Sequence, residues 1–381
     1  MSQLRQILPA AVILLAPLGL LAGAGRKAGS ARAYRVYVGD YTSKTSGKGI
    51  YEFQFDADSG KMSAPSLAAE IQDPSWIVIH PNRRYLYAAG EHGKDSSISA
   101  FSIGEGGRLQ LLNQRPALGA DPCHLAFDRS GKFLLTANYS SGNVAVFPIL
   151  PDGGLGEHTA LVENRGRTGP HRERQEGPHA HWIGASEDNR LVYVADLGLD
   201  QVLAYGFDAA KGTLTPSGDW AAKPGTGPRH VAFSNDGKFM YVAGELESTV
   251  SVFPLAQTTT GPIESVSMLP PGFSGRNDAA EIAVHPGGRF LYASNRGHDS
   301  IAVYAIDAKQ GTLTEIADVP SGGKEPRHFA IDPSGRFLLA ENQFSNSIVE
   351  FRIDQATGKL TPTGEKLEVP SPVCIAFLEL E

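Results

Sequence analysis

The sequence is poor in the residues and patterns that would make its chemistry obvious. It has two cysteines in 381 residues, Cys123 and Cys374. A bridge between them would need Cα atoms within about 7 Å. The repeat pattern described below places them far apart, so both read as buried free thiols. No Lys/Arg-rich run occurs outside the first 33 residues, and acidic residues outnumber basic ones 41 to 34, a formal net charge of −7. An acidic chain without a basic patch is a poor partner for nucleic acid or anionic lipid. There is no G-x-S-x-G, H-E-x-x-H or C-x-x-C, and no glycine-rich loop that follows a strand and opens a helix. Nucleophile-elbow hydrolases, zincins, dithiol enzymes and phosphate-loop proteins are thereby excluded.

The longest apolar stretch, from Ile7 to Leu21, is shorter than the roughly 20 residues a membrane-spanning helix needs. Arg5 precedes it, and two A-x-A patterns, Ala22-Gly23-Ala24 and Ala31-Arg32-Ala33, follow. This order is that of a secretory signal peptide over 1–33. No cysteine follows the apolar run, which argues against a lipid anchor. Removing the leader's four positive charges takes the net charge from −7 to −11. The expectation is an exported, periplasmic protein with no membrane contact once the leader is cleaved.

One phrase recurs seven times over 34–381, about every 50 residues. Its most regular part is a short apolar strand: VYVGD at Val36, LYAAG at Leu86, LLTAN at Leu134, VYVAD at Val192, MYVAG at Met240, LYASN at Leu291 and LLAEN at Leu338. A first strand precedes it across a Pro/Asp/Asn/Gly turn, and third and fourth strands follow. Four short strands repeated at this period predict an all-β, seven-bladed β-propeller in a single domain over 34–381. The segment at Tyr34 has no first strand before it. Segment 372–378 is expected to supply that strand, so that the C-terminal strand pairs with the N-terminal blade and closes the ring.

In such a blade the start of the first strand and the end of the second lie on one face of the central channel. Aligned around the ring, the first positions are Trp76, His124, His181, His230, Glu281, His328 and Cys374. The second are Tyr41, Glu91, Tyr139, Leu197, Glu245, Arg296 and Gln343. Scaffold positions repeat; these vary among chemically active types. Arg229 and Arg327 directly precede ring histidines, and His179 stands two before His181. The mouth is therefore expected to gather His, Arg and Glu side chains. Arginines can hold an anion, and the clustering can shift carboxylate and imidazole pKa values toward working pH. Candidate binding residues are His179, His230, Glu91, Glu281, Arg327, His328 and Gln343. Arg296 and Glu245 stand out because each breaks its column. His179-x-His181 lacks an acidic partner at fixed local spacing, so no metal or other cofactor is expected. A longer connection between the third and fourth blades, including 165–176, leads to the same rim. Its middle reads as a flexible surface loop that could act as a partial lid.

Through YVGDYT at Tyr37, PHAH at Pro178, GPRHVAFSNDGKFMYVAGEL at Gly227, LYASNRGHDSI at Leu291 and EPRHFAIDPSGRFLLAENQ at Glu325, the chain resembles the lactonase-type seven-bladed propellers. That family includes 6-phosphogluconolactonase and carboxymuconate lactonizing enzyme, and the resemblance covers 34–380. It implies a catalytic set of His181, Arg229, Glu245 and Arg296. It also implies metal-independent opening of a sugar-type lactone to its hydroxy acid, by a monomer acting on a small lactone or carboxylate. An exported enzyme would meet an unphosphorylated lactone more readily than a phosphorylated one. A lactonizing cycloisomerase and a non-enzymatic ligand-binding propeller remain as alternatives.

Overall fold

The computed structural model describes residues 33–380 apart from Lys44 and 257–260; the expected leader, Ala33 apart, lies outside the described residues. Seven four-stranded antiparallel sheets are arranged as successive blades. Blade 1 combines Pro372–Glu379, Ala33–Asp40, Gly49–Asp56 and Ser66–Glu70 from hub to rim. Blades 2 to 7 occupy 74–116, 122–163, 180–221, 228–267, 278–320 and 326–368. The expected closure is present: Tyr34 to Gly39 pair with Glu379 to Cys374 in antiparallel register. The first strand begins at Ala33, one residue before the expected boundary, and Leu380 N–H donates to its carbonyl. Cys123 and Cys374 are free and buried. Among the described residues no helix is long and apolar enough to cross a membrane.

Burial declines outward along each blade. The second strand Tyr85–Gly90 is buried at every position, whereas the outer strand Leu109–Pro116 is mostly half-buried or exposed. A strand covered on both faces reads as a continuous apolar run, and one covered on a single face alternates. The faces are covered by neighbouring blades. One apolar cluster joins blade 1 to blade 7 through Val36, Phe53 and Phe55 against Phe337, Leu339 and Ile348. The turns between first and second strands are tied by their own opening residues. Asp128 accepts the Lys132 and Phe133 amides at 2.8 and 2.9 Å, and Asp332 accepts those of Arg336 and Phe337 at 2.8 and 2.7 Å. His80 and His285 accept a turn amide on Nδ1, which leaves Nε2 protonated to donate to the carbonyls of Gly131 and Gly335, each at 2.8 Å. These two histidines are therefore scaffold, each clipping one blade to the next.

The first strands open with a β-bulge that positions the site. In blade 5 the pairing register shifts between Pro228 and Val231, and blades 2, 3, 4, 6 and 7 shift at the equivalent place. Strict alternation would send consecutive side chains to opposite faces. The bulge re-aims them, and both Arg229 and His230 are buried at the hub.

Two buried carboxyl groups remain protonated toward neutral pH. Burial raises Glu350 to about 7, and burial together with Asp73 raises Asp40 to about 7. A carboxyl whose folded pKa is raised adds stability that is complete below its unfolded pKa, about 4, and lost as pH rises through its folded value. Glu350→Gln should therefore raise the melting temperature relative to the parent at pH 8 and not at pH 5. Thermal unfolding at the two pH values tests this, and a difference that does not grow with pH would contradict it.

Candidate functional site

The second strand of blade 5, Phe239–Gly244, delivers Glu245 to the mouth of the hub, where it is 3 % exposed. A buried carboxylate is tolerated only with partners, and this one has three guanidinium groups. Arg229 Nη1 donates to Oε2, while Arg174 and Arg296 approach Oε1 at 2.5 and 3.2 Å. Burial alone would raise Glu245, but Arg229, Arg296, His181 and Arg174 outweigh it and hold the carboxyl well below its usual range. Arg229 Nη1 also donates to His181 Nε2 at 2.6 Å. A guanidinium can only donate, so Nε2 is the acceptor and the neutral ring carries its proton on Nδ1. Burial and the Arg229 charge push His181 well below its ordinary value, which keeps it neutral. Burial and Arg229 likewise lower Arg296, to about 10.

These groups line a cavity of about 350 Å³ together with Tyr41, Glu91, Cys123, Tyr139, Arg276, Asp278 and Arg327. On the side away from Glu245, Tyr41 O–H donates to Glu91 at 2.6 Å and accepts from Arg327 at 2.8 Å. Tyr139 accepts from Arg174 Nη2 at 3.4 Å and meets the edge of the His181 ring. Burial raises the Cys123 thiol, so it is a neutral wall group and not a nucleophile.

Six of the sequence-predicted residues meet at this cavity: His181, Arg229, Glu245, Arg296, Glu91 and Arg327. His179 lies behind it, stacked on Tyr139 with ring centroids 4.6 Å apart. Gln343 lies in an adjoining hollow on the rim. His230, Glu281 and His328 form a separate buried layer outside the cavity wall. There His230 Nδ1 is 2.9 Å from Glu281, whose Oε2 is also 3.4 Å from His328 Nε2, and His328 Nδ1 bonds Glu341. Burial opposes charge on His328, but Glu341 and Glu281 on either side outweigh it and raise its pKa. Trp76 and His124 complete this layer, their rings 4.2 Å apart. Among the described residues no group of His, Cys, Asp and Glu has metal-binding geometry.

Arg174, Arg276, Asp278 and Glu341 were not singled out from the sequence. Arg174 belongs to the long connection whose middle reads as flexible; the structure instead anchors its end. Gln175 is 1 % exposed and donates to Leu197 O and Asp200, both at 2.8 Å. The legible signal was an insert with arginines spread along it, Arg165, Arg167, Arg172 and Arg174, that enters a first strand at the mouth. Asp278 holds Arg276 at 2.8 Å and lies 3.6 Å from Arg174, extending the same charge network.

A family model described as lactonase, 7-bladed beta-propeller, matches residues 35–377. A 6-phosphogluconolactonase of Bacillus subtilis is 38 % identical over 77 % of this chain and 84 % of its own length. Two solved structures are similarly close. One is a protein of Bacteroides fragilis described as a putative 6-phosphogluconolactonase, with TM-score 0.84 and 36 % identity over 91 % of this chain and 98 % of its own. The other is a periplasmic gluconolactonase of Pseudomonas aeruginosa, with TM-score 0.83 and 31 % identity over 91 % and 99 %.

The buried layer has a measurable signature. Replacing His328 by Leu strands Glu341 in the interior, a change expected to cost about 3–5 kcal/mol. Adding Glu341→Met should recover most of that loss. Urea unfolding of the single and double variants measures both, and a purely additive double variant would show that the pair does not interact.

Proposed function

The chain belongs to the lactonase family of seven-bladed β-propellers, and from that premise we propose that it opens a sugar-type lactone to its hydroxy acid at the hub mouth. The observation that carries this reading is the ionised Glu245 held by Arg174, Arg229 and Arg296 in one cavity beside a neutral His181. Ester hydrolysis needs positive charge where the carbonyl oxygen becomes an oxyanion and an acceptor for the proton of the attacking water. The arginines supply the first. Arg296 makes the longest of the three contacts to Glu245, at 3.2 Å, and is the one best able to turn to a substrate carbonyl. Its departure uncovers a lone pair on Oε1 and removes compensating charge, and burial then raises the basicity of Glu245 as substrate binds.

In this reading the water oxygen bonds to the carbonyl carbon while Glu245 takes its proton. The tetrahedral oxyanion rests on Arg296 and Arg229. The ring C–O bond breaks, and the leaving oxygen recovers the proton to become a hydroxyl. His181, whose Nε2 lone pair is committed to Arg229, holds that arginine in place. The guanidinium groups provide the positive charge, so no metal is required. The expected leader and the periplasmic relative support export and an unphosphorylated substrate. A lactonizing cycloisomerase is the second reading, favoured by the five arginines lining the cavity, which suit a ligand bearing carboxylates. Comparing gluconolactone opening with carboxymuconate ring closure separates the two.

Glu245→Gln and Arg296→Ala should each lower kcat/KM for gluconolactone by at least about a hundredfold, and EDTA should leave the parent rate unchanged. Undiminished turnover in both variants would refute the site. Because Glu245 and His181 titrate well below neutrality, kcat/KM corrected for spontaneous hydrolysis should be flat from about pH 6 to 8. A histidine-like inflection near pH 6.5 would instead make His181 a titrating catalyst.

A further inference from the structure

The hub cavity does not end at its mouth. Tyr41 and Glu91 line it on one side and also line a larger hollow of about 670 Å³ on the rim. Their 2.6 Å hydrogen bond forms a low sill between the two spaces. The rim hollow lies between the loop that follows the second strand of blade 1 and the equivalent loop of blade 7. Its chemistry differs from that of the hub. Its described lining carries no lysine or arginine. It presents the Ser46 hydroxyl, the Gln343 and Asn346 amides and the aromatic ring of Phe344.

Phe344 is 69 % exposed, more than any other large apolar side chain described. An isolated exposed leucine needs no explanation, but an aromatic ring beside a cavity mouth is a candidate contact surface. The Gln343 amide makes no hydrogen bond to the described residues; only the Gln343 backbone is engaged, its N–H donating to Glu325 O at 3.0 Å. Glu91 accepts from Tyr41 on Oε2 and lines both spaces. Hydroxyls, a free amide, a carboxylate oxygen and one apolar ring face suit a neutral polyhydroxylated ring. Such a ring hydrogen-bonds around its edge and stacks its C–H face on an aromatic.

We propose that the rim hollow is a second sugar subsite, so that the best substrate is an aldonolactone bearing a glycosyl substituent. This rests on the lactone-opening reading: the lactone ring enters the arginine-lined hub, and the attached sugar crosses the sill onto Phe344. The position also accounts for an exposed Phe344 in a loop otherwise built of polar residues.

The test compares kcat/KM for lactobionolactone, a galactosyl gluconolactone, with that for gluconolactone. The parent protein should favour the disaccharide lactone. Phe344→Ala should lower the ratio of the two values roughly fivefold, and Phe344→Trp, which keeps a stacking face, should retain it. Phe344 is exposed, so the variants are expected to fold. A ratio unchanged in Phe344→Ala overturns the subsite. Failure to hydrolyse either lactone would overturn the hydrolase reading instead, and the subsite would then be judged by calorimetric titration with lactobionate and gluconate. Tighter lactobionate binding that Phe344→Ala abolishes supports it; equal affinities overturn it.

Discussion

The antiparallel pairing of Tyr34–Gly39 with Cys374–Glu379 is the constraint on which the rest of this structure depends. Without it blade 1 lacks its hub strand, and the first and last blades present open edges. Bringing chain ends together across several hundred residues carries an entropy penalty, but one that grows only logarithmically, by about 0.6 kcal/mol per doubling of loop length. Backbone pairing, supported by the apolar cluster of Phe53, Phe55, Phe337 and Ile348, offsets it. Closure turns seven similar sheets into a hub at which residues far apart in the chain, such as Tyr41 and Arg327, hydrogen-bond at 2.8 Å.

Inside that hub, charge is organised in two storeys. The upper one is cationic: five arginines face three carboxylates, with Glu245 shared among three of the guanidinium groups. The lower one is a histidine–carboxylate network centred on Glu281 and His328, capped by Trp76. Neither could exist in a dry interior without the other polar groups around it, since isolated buried ions are strongly disfavoured. The rings of His181 and His230, 5.1 Å apart, join the two storeys. Packing along this axis thus fixes the orientation of the arginine that binds Glu245.

The repeat made the architecture readable in advance. LYAAG, LLTAN and their counterparts are buried on both faces, so each reads as an uninterrupted apolar run, and the count of first strands required a C-terminal strand in blade 1. Glu245 and Arg296 could be picked out as charged residues in a column that also holds Tyr41, Tyr139, Leu197 and Gln343. Depth was not readable. His181 and His230 occupy the same column, yet one lines the cavity and the other sits outside it, because bulges and local side-chain packing decide height along the channel. Arg174 was hidden for a different reason: it comes from an insert with no counterpart in other blades, so there was no column for it to break. Glu341 was hidden within a second strand, where its counterparts in the other repeats are small (Gly39, Ala89, Ala137, Ala195, Ala243 and Ser294), and only the position of His328 explains it.

The insert carrying Arg174 belongs to no blade, yet it supplies one of the three cations around the buried carboxylate. The charge of the hub cavity is therefore partly set by a segment that lies outside all seven sheets.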